Sequence, residues 1–235
     1  MTAKIISRHA QAVEASRRSS IASFMVMEIM RAAADRERAG ASIVHMEVGQ
    51  AGTPAPGAAR EAVLTAIAQS TLGYTLALGL PLLRERIAQL YHHWYGVTIA
   101  PERVVVTTGS SGGFLLAFLA LFDAGARVGL TSPGYPCYRH ILTALDCEKA
   151  LIEIGPETGW MPDIAHIEAA GHLDGLLLAS PANPTGTMLT PERLADITRW
   201  CAERGVAFIS DEIYHGLTYG APAATALQFC DDAFV

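Results

Sequence analysis

A doubly wound, mostly parallel α/β sheet is the fold class this sequence predicts, on three observations. After Pro101, short apolar runs alternate with longer helical patterns, the element order that gives a parallel sheet covered by helices. The runs at residues 104–107, 128–131, 150–154, 176–179 and 206–210 lack polar alternation, as strands covered on both faces require. A chain of 235 residues with 51% apolar content is also long enough to bury a substantial core, which excludes intrinsic disorder.

The elements follow in order. Over residues 20–38, Ile21, Phe24, Met25, Met27, Met30 and Ala33 recur at helical spacing between a Ser-rich start and Gly40, which predicts an amphipathic helix. Residues 43–48 read as a short β-branched strand, ended by the breaker cluster from Gly49 to Pro54. Helices are predicted over 57–70 and over 80–95, the second with Pro81 in its first turn. Between the later strands, helical patterns cover 113–121, 137–145, 163–170 and 191–204.

Charge and composition restrict the partners. Only 17% of residues are charged, and 17 basic against 23 acidic side chains leave a net charge of −6, no footprint for wrapping nucleic acid. The apolar run at 21–30 is interrupted by Glu28 and falls far short of the roughly 18–20 residues that span a bilayer, so no membrane partner is expected. The Arg- and Ser-bearing N-terminus runs straight into a patterned helix and reads as no targeting segment. The 4 cysteines include no C-x-x-C pair and are too sparse for a disulfide framework, which fits a reducing cytoplasm. The 8 histidines show no metal-ligand spacing, and no metal site is expected. Small molecules are the expected partners.

Doubly wound sheets place ligands at the carboxyl ends of their strands, so the residues just past each run carry the chemistry. After 104–107 comes Thr108-Gly109-Ser110-Ser111-Gly112-Gly113, opening a helix. Such a turn presents unpaired N–H groups at the positive end of a helix dipole, which suits a phosphate, although any tight strand-to-helix connection looks similar. After 128–131, Ser132-Pro133-Gly134-Tyr135-Pro136 fixes an aromatic ring in a rigid turn, for stacking or for ordinary packing. After 176–179, Ser180-Pro181-Ala182-Asn183-Pro184-Thr185-Gly186 holds an amide at the sheet edge, where a cis X-Pro bond is feasible. After 206–210, Asp211 costs free energy at the end of a core strand unless a cation or donor meets it, or unless it caps the next segment.

These motifs, in this order, resemble the class I/II aminotransferases, pyridoxal-phosphate enzymes of fold type I. The resemblance rests on residues 179–186 and on Ser210-Asp211-Glu212-Ile213-Tyr214. It extends to Gly73-Tyr74 with residues 79–84, Thr108-Gly109-Ser110-Ser111, and Ser132-Pro133-Gly134-Tyr135, and so covers nearly the whole chain. It implies the cofactor pyridoxal 5'-phosphate, with Asp211 paired to the protonated pyridine nitrogen and Asn183 and Tyr214 on the phenolic oxygen. Tyr135 would stack on the ring, and Ser110 and Ser111 with the turn after Gly109 would take the phosphate. Gly49 would lie near the substrate carboxylate. Tyr74 would reach the cofactor of a partner subunit, which implies a homodimer. The Ser132-Pro133 and Asn183-Pro184 bonds are expected to be cis.

The implied activity is transfer of an amino group from an L-amino acid to a 2-oxo acid. Another fold type I reaction, C–S lysis or decarboxylation, would use the same cofactor contacts, and a non-catalytic pyridoxal-phosphate module is the alternative outside enzymes. The implied organisation is an arm with part of a small domain over residues 1–45 and a large cofactor domain over 46–235, its sheet incomplete at the C-terminus. One departure stands out. The family's lysine, which bonds the cofactor and moves the substrate proton, lies in a Ser-x-x-Lys segment after the next strand, and this sequence has no such segment. Its lysines are Lys4, in the arm, and Lys149, at a strand start, so no catalytic lysine is expected in this chain.

Overall fold

A computed structural model describes residues 15–235. Lys4 lies outside the described residues. The N-terminal stretch is helical: α1 (Met25–Arg38), α2 (Gly57–Gln69) and α3 (Pro81–Tyr95). Pro81 starts α3 at a position where its missing N–H costs nothing, and Gly96 ends it at φ +70°, the left-handed region glycine tolerates.

The alternating part follows as α4 (Gly109–Leu121), β1 (Arg127–Ser132), α5 (Pro136–Ala144), β2 (Glu148–Glu153), α6 (Ile164–Ala169), β3 (Gly175–Ala179), α7 (Pro191–Arg204) and β4 (Ala207–Asp211). The four strands pair in parallel in the order β2-β1-β3-β4. Leu130 of β1 faces Leu151 on one side and Leu177 on the other, and Leu177 faces Ile209 of β4. At the far edge of β4, Phe234 begins a further parallel pairing with Ile209.

Alternation along the strands divides the core in two. Leu176, Leu178 and Phe208 pack with Ile167 of α6 and Leu194, Ile197 and Trp200 of α7. Leu177, Ile209, Val128 and Leu130 pack with Phe114 and Phe118 of α4 and Tyr138 and Leu142 of α5. Helices thus cover both faces, the doubly wound arrangement. The strand order reverses between β1 and β3, which opens a crevice beyond their carboxyl ends.

Several expectations need correction. Residues 43–48 and 104–107 join no ladder. The second run has one cross-connection in the backbone, Val106 N–H to the Leu78 carbonyl at 3.0 Å, so its apolar character is not matched by strand partners. β2 is an edge strand and alternates, with Leu151 44% exposed, so it is covered on one face only. α1 begins at Met25 rather than residue 20, because the backbone at Phe24 is extended, at φ −83° and ψ 96°, with its ring edge-on to Tyr135 and His140. α4 begins at Gly109, four residues earlier than expected, so the glycine–serine turn is itself the first turn of the helix.

Candidate active site

The crevice holds a cavity of about 330 Å³, at the small end of the roughly 300–1,000 Å³ usual for ligand pockets. Its walls come from separate segments: Ser110 on α4, Tyr135 and Tyr138 around the start of α5, Ala179 and Asn183 after β3, Asp211 and Tyr214 after β4. Residues 47–49 and Phe24, Val26 and Met27 close the remaining side.

Asp211 ends β4 and is 8% exposed. The Tyr138 hydroxyl donates to its Oδ2, and the Ile213 N–H donates to Oδ1 at 3.1 Å. Burial pushes the Tyr138 hydroxyl well above its ordinary range, and the Asp211 charge beside it adds to the effect, so Tyr138 remains a donor to the carboxylate. Burial also raises Tyr135, whose ring lies edge-on to Tyr138 with centroids 5.4 Å apart. Among the described lining residues there is no Lys, Arg or His, so the buried carboxylate faces a cavity whose walls bring it no cation.

The phosphate-type subsite is built by backbone. Gly109 has φ +79° and donates its own N–H to the Thr107 carbonyl at 2.9 Å; no side chain caps α4, which leaves the amides after Gly109 free to donate beside the Ser110 hydroxyl. In the opposite turn, a Cβ on Gly134 would stand 2.5 Å from the Thr131 carbonyl, so the tight approach to Tyr135 demands glycine. The Ser132-Pro133 and Asn183-Pro184 bonds are cis, as is Ser180-Pro181.

Of the residues singled out from sequence, Gly49, Ser110, Tyr135, Asn183, Asp211 and Tyr214 meet in this cavity. Gly109 and Ser111 flank Ser110 without lining it, and the Ser111 hydroxyl lies 3.2 Å from Cys137 Sγ. Tyr74 is fully exposed and stands apart. Lys149 donates to the Thr143 hydroxyl at 2.9 Å and lines a neighbouring groove under residues 21–26, not the cavity. Sequence reasoning missed Tyr138, although a second tyrosine three residues after Tyr135 at the start of a helix returns to the same side. It also missed the wall formed by Phe24, Val26 and Met27, for which no local signal exists. His45 bridges Glu47 at 2.6 Å and Glu37 at 2.9 Å, and these hydrogen bonds raise it to about 9.

The family model for aminotransferase class I and II matches residues 42–234. A valine–pyruvate aminotransferase of Mycobacterium tuberculosis is 51% identical over 207 residues, 87% of this chain and 53% of its own length. An aspartate/prephenate aminotransferase of Thermus thermophilus is 30% identical over 189 residues, 80% of this chain and 49% of its own. Among solved structures, an aminotransferase from Mycobacterium tuberculosis superposes with TM-score 0.88 at 47% identity, covering 94% of this chain and 58% of that one. The aspartate aminotransferase of Thermus thermophilus with maleate superposes with TM-score 0.90 at 27% identity, covering 94% and 59%. The chain spans about half the length of the curated relatives it matches. It belongs to the class I and II aminotransferases, a family that works with pyridoxal phosphate.

Proposed function

We propose that this chain is the cofactor-cradling, amino-terminal portion of a pyridoxal-phosphate aminotransferase that moves an amino group from an L-amino acid to a 2-oxo acid. One observation carries the reading: residues from six segments far apart in sequence converge on a single cavity at the switch point of the sheet. The cavity's chemistry suits the cofactor. A buried carboxylate with no cation among its described neighbours wants a cationic donor, and a protonated pyridine nitrogen is one. Free amides at the start of α4 suit a phosphate.

When bound, pyridoxal phosphate supplies the electron sink for the substrate's α-carbon. The chain's own residues would then do the following. Asp211 holds the ring-nitrogen proton in place, with Tyr138 fixing the carboxylate's orientation. Asn183 and Tyr214 donate to the phenolic oxygen, Tyr135 covers one face of the ring, and Ser110 with Gly109 and Ser111 of the same turn grips the phosphate. The backbone at Gly49 meets the substrate carboxylate. Apolar Phe24, Val26, Met27, Val48 and Ile213 around the opening suit a small aliphatic side chain, as the name of the valine–pyruvate relative also suggests.

The wider assignments belong to the same proposal. Residues 1–45, of which 1–14 lie outside the described residues, are assigned to an arm with part of a small domain, 46–235 to the cofactor domain, and the exposed Tyr74 to the site of a second subunit in a homodimer. Free thiols at Cys137, Cys147, Cys201 and Cys230 support a reducing, cytoplasmic setting. Among the described residues no helix is long and apolar enough to cross a membrane.

The test is borohydride reduction of the chain with pyridoxal phosphate, followed by peptide mapping, alongside an amino-transfer assay with L-valine and pyruvate. The expected result is reversible cofactor uptake with no site-specific lysine adduct and no turnover by this chain alone. A specific adduct at Lys149 or Lys4 accompanied by turnover would overturn the cradle reading.

A further inference from the structure

Close to the cavity, the described residues bury a cluster of titratable groups to which the cofactor contacts assign no task. Tyr95 closes α3, while Glu212 and His215 lie on the turn after β4 with side chains only 6% exposed each. His215 Nε2 lies 2.9 Å from the Ser180 carbonyl, and because a carbonyl can only accept, this nitrogen carries a proton. On the other side of the ring, Nδ1 lies 2.6 Å from the Tyr95 hydroxyl and 3.6 Å from Glu212 Oε2. Glu212 is anchored in turn by the Ala226 N–H, which donates to Oε1 at 2.8 Å, while Oε2 has no hydrogen-bond partner among the described residues. Burial pushes the Glu212 carboxyl up, opposed by the Ala226 amide and by His215. Burial and the charge of Glu212 raise Tyr95 to about 12, so it stays a neutral hydroxyl.

The place of Ser180 gives this cluster its meaning. Its N–H donates to the Asp211 carbonyl at 3.0 Å, and its own carbonyl accepts from the His215 Nε2–H at 2.9 Å. The turn that carries Asn183 is therefore fastened to the turn that carries Asp211 and Tyr214 through both backbone polar groups of one residue, Ser180. His215 adjoins Tyr214 in sequence yet does not line the cavity.

We propose that His215, seated on Glu212 and Tyr95, is a positioning residue for the cofactor cavity. It locks the Asn183 turn against the Asp211–Tyr214 turn and so sets how tightly pyridoxal phosphate is held, without touching it. The affinity half of this statement rests on the cofactor reading above, whereas the lock does not. A buried histidine with a merely structural role would lower folding stability and leave the affinity of the folded protein unchanged.

The test compares the wild-type chain with His215→Ala, His215→Gln and Tyr95→Phe by two readouts. Amide exchange at Ala182 and Gly186, whose N–H groups bond the Thr187 and Ala182 carbonyls, reports the lock without any ligand. Titration with pyridoxal phosphate under conditions where each variant is folded reports the consequence. His215→Ala is expected to speed exchange at both amides and to weaken binding roughly tenfold. His215→Gln, whose amide N–H reaches the Ser180 carbonyl, is expected to recover most of both effects, and Tyr95→Phe to weaken binding about threefold. If His215→Ala does not fold, Tyr95→Phe is read against the wild type and His215→Gln, and exchange and binding both unchanged in Tyr95→Phe overturn the lock. Unchanged exchange in His215→Ala, or a glutamine no better than alanine, overturns the lock. Altered exchange in a chain that takes up no pyridoxal phosphate supports the lock and overturns the cofactor reading with its affinity claim.

Discussion

Helices α2 and α7 are of similar length, 13 and 14 residues, and meet opposite fates. α7 is capped by the Thr190 hydroxyl, which accepts from the Arg193 N–H, and it ends on Gly205 in the left-handed region. It buries Leu194, Ile197, Trp200 and Cys201 against β3 and β4. α2 has no side-chain cap and buries nothing; Val63, Leu64 and Ile67 are each more than half exposed. A helix thus forms whether or not its apolar residues gather on one face, while burial needs both such a stripe, as on α7, and a surface opposite it. Strands β3 and β4 supply a partner for α7, and the described structure supplies none for α2.

The comparison can be tested first where the expected effects are largest. Ile197→Ala empties a site that is 1% exposed and should cost about 2–5 kcal/mol in urea unfolding, while Leu64→Ala on α2 should stay within about 0.5 kcal/mol. Equal losses at the two positions would show that α2 is covered in solution by a surface the described structure does not contain. Tyr138→Phe removes the donor to Asp211 Oδ2 and should cost about 1.5–3 kcal/mol, divided between stability and cofactor affinity as read by parallel melting and titration. Thr190→Ala should lower stability by about 1 kcal/mol through loss of its cap, a device α2 never had.

The smallest effect lies on the acid limb. The Arg127 N–H donates to Asp174 at 2.7 Å and holds its carboxyl below the usual 3.8. A folded value below the unfolded one means that this carboxylate contributes stability above about pH 4 and loses it as pH falls through the folded value. Because the side chain is 43% exposed, solvent screening limits the contribution to a few tenths of a kcal/mol, roughly. Asp174→Asn should lower stability at pH 7 by that amount and flatten its fall below pH 4, where the wild type has lost the same contribution.

What the sequence made legible follows the same division. α3 and α7 were readable to within a residue because proline at the start and glycine past the end mark their limits chemically. The strands around Leu130, Leu177 and Ile209 were readable because burial on both faces leaves an unbroken apolar run. β2 misled because Leu151 is apolar and yet faces outward at an edge. Residues 104–107 misled because an apolar extended segment reads as a strand whether or not a neighbour pairs with it. In the site, Asn183, Asp211, Tyr135 and Tyr214 follow strands or breaker turns and stand out locally. Tyr138 and the Phe24 wall were hidden, one inside a helix and the other brought in by tertiary folding alone.

The central claim is that the sheet half of the chain forms one cavity, centred on Asp211, that holds pyridoxal phosphate. The direct measurement is an equilibrium titration of wild-type chain and Asp211→Asn with pyridoxal phosphate, followed by cofactor absorbance and tryptophan fluorescence. Saturable one-site binding that weakens roughly tenfold to a hundredfold in Asp211→Asn is the predicted result, the loss of one hydrogen bond between charged groups. Equal binding to both proteins would contradict it and place the cofactor elsewhere on the surface.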